Sequence, residues 1–399
     1  MPRTFDALVI GGGPAGSTAA LLLARAGWSV GVVEKASFPR RKVCGEFLSA
    51  TNLPLLRHLG LAEPFLELAG PDVRRVGLFA RDRMIVADMP RLRDDVHGWG
   101  RALGREHLDT VLLAKAAAEG ASVWQPWNLV ACDKVDGHSA REHYRCHVVC
   151  AKTRQLVELR APIVIAAHGS WEPGRLPTQP TRRAARPSDL FGFKAHFRDA
   201  QLPIGLMPLL TFPGGYGGMV HTDHGRVSLS CCVRRDQLDT CRRIAGSSSA
   251  GEAVLRHMTA SCSPLRDVLH GAVLEDGWRS AGPIRPGVRF TNHDGVFLAG
   301  NAAGEAHPVV AEGISMAMQS AWVLAGHLVR TPSLAEVRTA YAAEWRRLFA
   351  PRIYAASLIA HWAMHPAAVR LTWPLLQAFP AMLTEGARLS GKVAAMTAE

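Results

Sequence analysis

Three glycines, Gly11, Gly13 and Gly16, stand at G-x-G-x-x-G spacing directly after the apolar run Ala7 to Ile10, and a helical pattern follows from Pro14 to Ala26. Residues of this type at this spacing hold an anion. Gly11 permits a tight turn, Gly13 lets backbone approach a pyrophosphate, and Gly16 lets the helix pack on the strand. The helix opens with Pro14 and Ala15, so its free N–H groups and the positive end of its dipole face the phosphates. Gly27 stops the helix and Trp28 to Val33 reads as a second buried strand. Glu34, with Lys35 beside it, closes that strand about twenty residues after the glycines, where an acid accepts hydrogen bonds from ribose hydroxyls. Strand, turn, helix, strand and acid together predict a dinucleotide site. A carboxylate at that point suits an unphosphorylated ribose, so FAD or NAD(H) fits and NADP(H) does not.

The elements that position such a site need a core, and the composition provides one. The chain has 399 residues, 48% hydrophobic and 20% charged, which is globular and long enough for two or more domains. Its net charge of +12 comes from arginines scattered in ones and twos, as at Arg40-Arg41, Arg182-Arg183 and Arg242-Arg243. No long basic run and no nucleic-acid motif accompanies them, which argues against nucleic-acid binding and leaves an anionic substrate or a membrane surface open. Eight cysteines without a C-x-x-C pair point to a reduced, cytoplasmic setting. His143, Cys146, His147 and Cys150 have the side chains of metal ligands, but strand alternation sends neighbours to opposite faces, so no metal site is expected. The apolar residues from Ala7 to Ala24 are interrupted by the glycine turn, unlike a signal peptide, and no apolar span is long enough to cross a bilayer.

The stretch Ala36 to Ala50, ASFPRRKVCGEFLSA, adds a second signature. G-G-G-P-A-G-S followed by K-x-C-G-E-x-L-S resembles the FAD-dependent oxidoreductases that include geranylgeranyl reductases, aromatic-ring monooxygenases and flavin-dependent halogenases. The resemblance implies that this loop passes beside the flavin ring, making Lys42, Cys44, Gly45 and Glu46 candidates for contacts there. It also implies that Arg105, ahead of the helical pattern in Leu103 to Gly120, meets the FAD phosphates. Near the far end, AGNAAGEAHPVVAEGISMAMQSAWVLAGHLV resembles the family's second FAD motif, matched by Gly300, Asn301, Pro308 and Gly313, with Asn301 where an aspartate is usual. The helix Ile314 to Leu328 then points its N-terminus at the flavin pyrimidine edge. With motifs at both ends of the chain, FAD is favoured over NAD(H).

The expected fold is α/β: a three-layer, Rossmann-like FAD-binding domain with a β-meander, a substrate domain with a largely antiparallel sheet, and a helical C-terminal tail. Residues 1–72, 98–185 and 284–330 are assigned to the first, 73–97 and 186–283 to the second, and 331–399 to the tail. Leu53 to Leu68 reads as two short helices and Val73 to Met89 as a hairpin turning at Arg81 to Arg83. Ser122 to Asp133, Tyr144 to Lys152 and Gln155 to Leu159 form the meander, with a turn at Asp136-Gly137, and Ile163 to Gly169 is a buried strand. A linker spans Pro173 to Pro187. Strands then cover Leu190 to Phe197, Ile204 to Phe212, Gly217 to His221 and Arg226 to Val233. Ala250 to Ser261 is a helix, and Val273 to Trp278 is a strand returning to the first domain. Four prolines, Pro351, Pro366, Pro374 and Pro380, break the tail. Leu206, Leu209, Phe212, Tyr216 and Met219 are candidates for the substrate pocket.

Glu305, His307 and Glu312 are the titratable groups expected nearest the flavin, with helix capping and turn packing as their alternative roles. The leading functional expectation is an FAD-dependent monooxygenase: NAD(P)H reduces the flavin, and a C4a-hydroperoxide hydroxylates an aromatic or polyketide-like substrate. Where ring hydroxylases carry Asp-Gly against the nicotinamide, this chain has His168-Gly169, which sets its NAD(P)H docking apart. The K-x-C-G-E loop is more similar to the reductases of isoprenoid and lipid double bonds, which stand second, while the His-Pro pair leans toward hydroxylases. A halogenase stands third, since W-x-W-x-I-P is absent and Trp124-Gln125-Pro126-Trp127 imitates it poorly. An electron-transfer flavoprotein serving a quinone or protein partner is the remaining class.

Overall fold

A computed structural model describes residues 3–92, 97–135, 143–169, 178–179, 184–246 and 249–392. The predicted Asp136-Gly137 turn and most of the Pro173–Pro187 linker lie outside these residues. In chain order, β1 (Ala7–Ile10) leads into α1 (Pro14–Arg25) and β2 (Val30–Val33), followed by α2 (Leu53–Leu59) and α3 (Ala62–Leu68). The hairpin β3 (Arg75–Ala80) and β4 (Arg83–Asp88) precedes α4 (Arg105–Ala118), β5 (Ser122–Trp124), the meander β6 (Trp127–Val135), β7 (His143–Cys150) and β8 (Leu156–Ala161), and β9 (Ile163–Ala166). Next come β10 (Leu190–Arg198), β11 (Leu206–Phe212), β12 (Gly215–His221), β13 (Val227–Arg234), α5 (Arg235–Ala245), α6 (Ala250–Ser261), α7 (Ser263–Val268) and β14 (Val273–Ile284). The chain ends with β15 (Asn292–His293), β16 (Val296–Leu298), α8 (Gly313–Arg330), α9 (Leu334–Ala363), α10 (Pro366–Ala378) and α11 (Ala381–Ala387).

Six strands form the first sheet in the order β15-β16-β9-β1-β2-β5, parallel throughout except for the β15–β16 pair. Every residue of β1, β2 and β9 is buried, as befits strands with helices over both faces. The meander, extended by Arg3–Thr4, packs beside it as a four-stranded sheet. The second sheet has seven strands, β14-β10-β13-β12-β11-β3-β4, antiparallel apart from β11–β3. One apolar core joins the first sheet to α1, α4, α8 and α9, and another lies between the second sheet and α5 to α7.

Three sequence expectations are corrected. Val273 to Trp278 does not return to the first domain. It begins a longer β14 that pairs with β10 as an edge strand, passing Gly277 and a register irregularity that the sequence pattern reads as an end. Helices α5 and α7 were not expected: α5, RDQLDTCRRIA, buries only Leu238 and Cys241, too few to show an apolar period. In the tail, α9 continues through Pro351 and α10 through Pro374. A proline inside a helix costs about 3 kcal/mol, but both rings lie on exposed faces. The opposite face of α9 buries Val337, Tyr341, Trp345, Phe349 and Ile353, which outweighs that cost.

Candidate functional site

The glycine loop is built as the spacing predicts. Gly11 has φ +107°, and a Cβ there would lie 2.6 Å from the Ala167 carbonyl oxygen. A Cβ on Gly16 would lie 1.8 Å from the Gly11 carbonyl oxygen. These two glycines are therefore required by close packing of turn, helix and neighbouring strand. Gly13 differs, because the only atom a Cβ would meet there is Arg105 Nη2, at 3.7 Å. It fronts open space, as a pyrophosphate cradle requires.

That space is a cavity of about 1430 Å³ between the two sheets. Gly11, Gly13, Pro14, Ala15, Glu34, Lys35, Lys42, Cys44, Gly45 and Arg105 border it from one side. Asn301, Glu305, Pro308, Gly313 and Ile314 border it from another, and Tyr216 and Met219 from the second sheet. The chain's two distant motifs therefore meet at one site. Gly16 and Gly300 do not reach it: Gly300, at φ +62°, approaches Ala15 and donates its N–H to Ser320 Oγ at 2.8 Å.

Glu34 is buried, and its carboxylate accepts the Gly12 N–H at Oε2 and the Ala36 N–H at Oε1, both at 2.8 Å. Each oxygen keeps a lone pair for a ribose hydroxyl. Arg105 is held by two parallel bonds to Asp109, Nε to Oδ1 at 2.7 Å and Nη2 to Oδ2 at 2.8 Å. Burial opposes the guanidinium charge, but Asp109 outweighs it and raises the Arg105 pKa above its ordinary value. Lys42 is pushed down to about 8 by loss of water and by the neighbouring Arg105 and Arg40. An anion placed among these cations would reverse that shift.

At the second motif, Asn301 Nδ2 donates to Glu305 Oε1 at 3.0 Å, and Arg289 Nη2 reaches Glu305 Oε2 at 3.4 Å. Glu305 thus orients Asn301. The α8 N-terminus opens at Gly313, where a Cβ would meet nothing within 4 Å. Glu312 is wholly buried behind it, within electrostatic reach of Arg352. His307 lies behind the cavity wall, its Nδ1 3.2 Å from the Tyr216 hydroxyl. Burial and the nearby His361 push it down to about 4. His168 lines the cavity with Nε2 3.0 Å from Thr178 Oγ1, and burial holds it at about 4 as well.

Among the pocket candidates, Leu206 and Phe212 are corrected. Alternation along β11 sends Leu206, Leu210 and Phe212 into the core under α5 to α7, while Met207 and Leu209 face the cavity. Along β7 the same rule buries Cys146 and Cys150 and leaves His143 and His147 half-buried opposite. Among the described residues the side chains close enough together to hold a metal ion are elsewhere, at His107, Asp223 and His224. Asp223 there is already bonded by Arg226, the Gly104 N–H and Thr222 Oγ1.

Two features escaped the sequence reading. Glu46 borders the cavity as expected, but its carboxylate is engaged by Lys194 Nζ and His196 Nε2 of β10, the latter at 2.9 Å. Burial disfavours its charge, yet Lys194 and His196 hold its pKa well below the usual carboxylate range. The signal was present in LFGFKAHFR, which puts two basic residues two apart, and so on one face, within an otherwise apolar strand. Nearby, Arg226 joins Asp223 to Glu106, and Arg41 joins Glu106 to Glu275 and Asp276, tying α4 and the Arg41 loop to the second sheet.

The tryptophan 2-halogenase of Chondromyces crocatus is 28% identical over 363 residues, covering 86% of this chain and 65% of the relative. The digeranylgeranylglycerophospholipid reductase of Thermoplasma volcanium is 33% identical over 170 residues, 42% of this chain and 40% of the relative. The chain thus spans less than two thirds of either relative's length. PqsL of Pseudomonas aeruginosa, a probable FAD-dependent monooxygenase, superimposes with TM-score 0.73 and 17% identity over 93% of this chain and all of its own, a likeness of fold. Residues 4–229 match the family model described as FAD binding domain, and the chain belongs to this family of FAD-dependent oxidoreductases.

Proposed function

We propose that the chain is an NAD(P)H-dependent FAD monooxygenase that hydroxylates an aromatic or polyketide-like small molecule. The carrying observation is the cavity. It runs from the glycine loop to Trp362, Leu375 and Leu376 of the tail helices, and its 1430 Å³ exceeds the ~300–1,000 Å³ of ordinary ligand sites. That leaves room for a dinucleotide and a second molecule in an apolar compartment. FAD, when bound, supplies hydride uptake and oxygen activation. The chain's residues bind, orient and exclude water. Gly13, Lys42 and Arg105 hold the phosphates, Glu34 the ribose, and Asn301 with the α8 N-terminus the flavin end. Val76, Met207 and Leu209 of the second sheet, together with the tail, keep water from the far compartment.

A second reading, reduction of an isoprenoid or lipid double bond, is favoured by the Tyr216 cluster. Burial raises the Tyr216 pKa well above its usual value, and burial pushes the Cys232 thiol, which bonds to Tyr216, up to about 12. With His307 near 4, all three are neutral at pH 7. Tyr216 and Cys232 therefore stay protonated as hydrogen-bond donors at the cavity wall. Anaerobic reduction followed by stopped-flow mixing with oxygen tests the first reading: it requires an absorbance transient before the oxidised-flavin spectrum returns. Direct, slow reoxidation would sink it. Product mass then separates added oxygen, added hydrogen and added halogen.

A further inference from the structure

The helices that close the cavity also open it to the outside. Leu358 of α9, Leu375 of α10 and Met382 of α11 line the cavity, yet they are 75%, 48% and 43% exposed. Side chains that do both mark its mouth. Around them Tyr354, Leu371 and Phe379 are also exposed, Leu371 to 83%. Helix α10 buries Val369, Trp373 and Leu376 against the second sheet while turning Leu371 and Leu375 outward, with Phe379 exposed just past its end. A helix apolar on both faces calls for something covering the outer one.

Charge indicates what that is. From Trp345 to Thr384 the sequence holds four arginines and two histidines but no aspartate or glutamate. Arg346 and Arg370 are exposed, as is Arg347, which lies 3.7 Å from Glu344 at the edge of this stretch, while Glu385 at its other edge pairs with Arg388. A second copy of this face would set arginine against arginine, whereas an anionic lipid surface accepts both the apolar side chains and the cations. Among the described residues no helix is long and apolar enough to cross a membrane, so the contact is with the interface.

We propose that the outer face of α9 to α11 docks on an anionic bilayer, with Leu371 and Phe379 entering the interface and the cavity mouth opening onto it. The docking itself is independent of the reaction. Resting on the proposed monooxygenase reading, it narrows the substrate to an amphiphile whose polar, aromatic end reaches the flavin while an apolar tail extends toward the mouth.

The test is flotation of the FAD-loaded full chain with phosphatidylcholine vesicles, with and without phosphatidylglycerol. Binding should require phosphatidylglycerol and weaken with added salt. The variant Leu371→Asp/Phe379→Asp, altered at two exposed positions that do not line the cavity, should lose roughly tenfold or more in partition while keeping its FAD absorbance and Tm. Three results overturn the proposal: no flotation at low salt, equal flotation of the variant, or a dimer in light scattering that the variant breaks. Flotation needs no turnover, so its outcome is separable from that of the oxygen-mixing experiment.

Discussion

Arg105→Met puts the phosphate end of the site to a quantitative test. Arg105 spends Nε–H and one Nη2–H on Asp109, which is 0% exposed, also bonds the Cys44 side chain, and sets Nη2 beside Gly13. Removing the guanidinium leaves Asp109 charged and buried, with Arg40 Nη2 at 3.5 Å as a remaining cation. Breaking a buried pair costs ~3–5 kcal/mol, and Arg40 places the effect at the low end. Unfolding entropy of ~2.1 cal/mol/K per residue gives ~0.84 kcal/mol/K for this chain, so the loss corresponds to a fall in Tm of about 4 °C. Separately, the lost hydrogen bond to a charged phosphate, worth ~1.5–3 kcal/mol, weakens FAD binding about 10- to 150-fold. The assay strips FAD, titrates it back by fluorescence and records Tm on the apoprotein. The double variant Arg105→Met/Asp109→Leu separates the two effects: it should recover Tm, because both charges are gone, and leave FAD binding weak. Wild-type affinity in the single variant would refute the phosphate role. Recovery of affinity in the double variant would show that Arg105 acts only by neutralising Asp109.

Gly16→Ala should yield protein without bound FAD, since the new Cβ cannot stand 1.8 Å from the Gly11 carbonyl oxygen; the flavin-to-protein absorbance ratio after purification measures this. Glu46→Gln leaves Lys194 buried without its counter-charge and should cost about 3 kcal/mol, read as a lower urea midpoint. Because the folded pKa of Glu46 lies below its unfolded value of ~4.3, its stabilisation is complete above that pH and is lost as pH falls further. His307 acts in an adjacent window: with a folded pKa of about 4 against ~6.5 unfolded, the unfolded chain binds the extra proton first, so stability falls as pH drops from ~6.5 toward 4. His307→Gln should lessen that part of the fall in a Tm-against-pH profile, with His168, also held at about 4, supplying the remainder.

The sequence displays this site unevenly, for physical reasons. Local motifs are legible because each glycine answers to a steric demand within a few residues, as at Gly11 and Gly16. Their meeting with Asn301 and Gly313, nearly three hundred residues on, was legible only through resemblance. Contacts between distant charges leave little local trace: Glu46 and Lys194 are 148 positions apart, and nothing near Glu46 announces that a cation of the other sheet engages its carboxylate. Phe212 was misplaced by parity, because one residue's difference along a strand exchanges cavity for core. Pro351 misled in the opposite direction, since local propensity cannot register the burial of Trp345 and Phe349 that carries the helix past it.

The site's two motifs lie at opposite ends of the chain, and this sets a schedule for biosynthesis. At ~5–20 residues per second, about 15–60 s separate the synthesis of Gly16 from that of Gly313. Throughout that interval the nascent chain holds half a nucleotide cradle. Helix α9, whose Tyr341 hydroxyl bonds to the Leu298 carbonyl oxygen while Ala360 and Ala363 pack near Tyr216, arrives later still. Closure of the site around the cofactor is therefore a late event, which must await both motifs and the helix that packs over them.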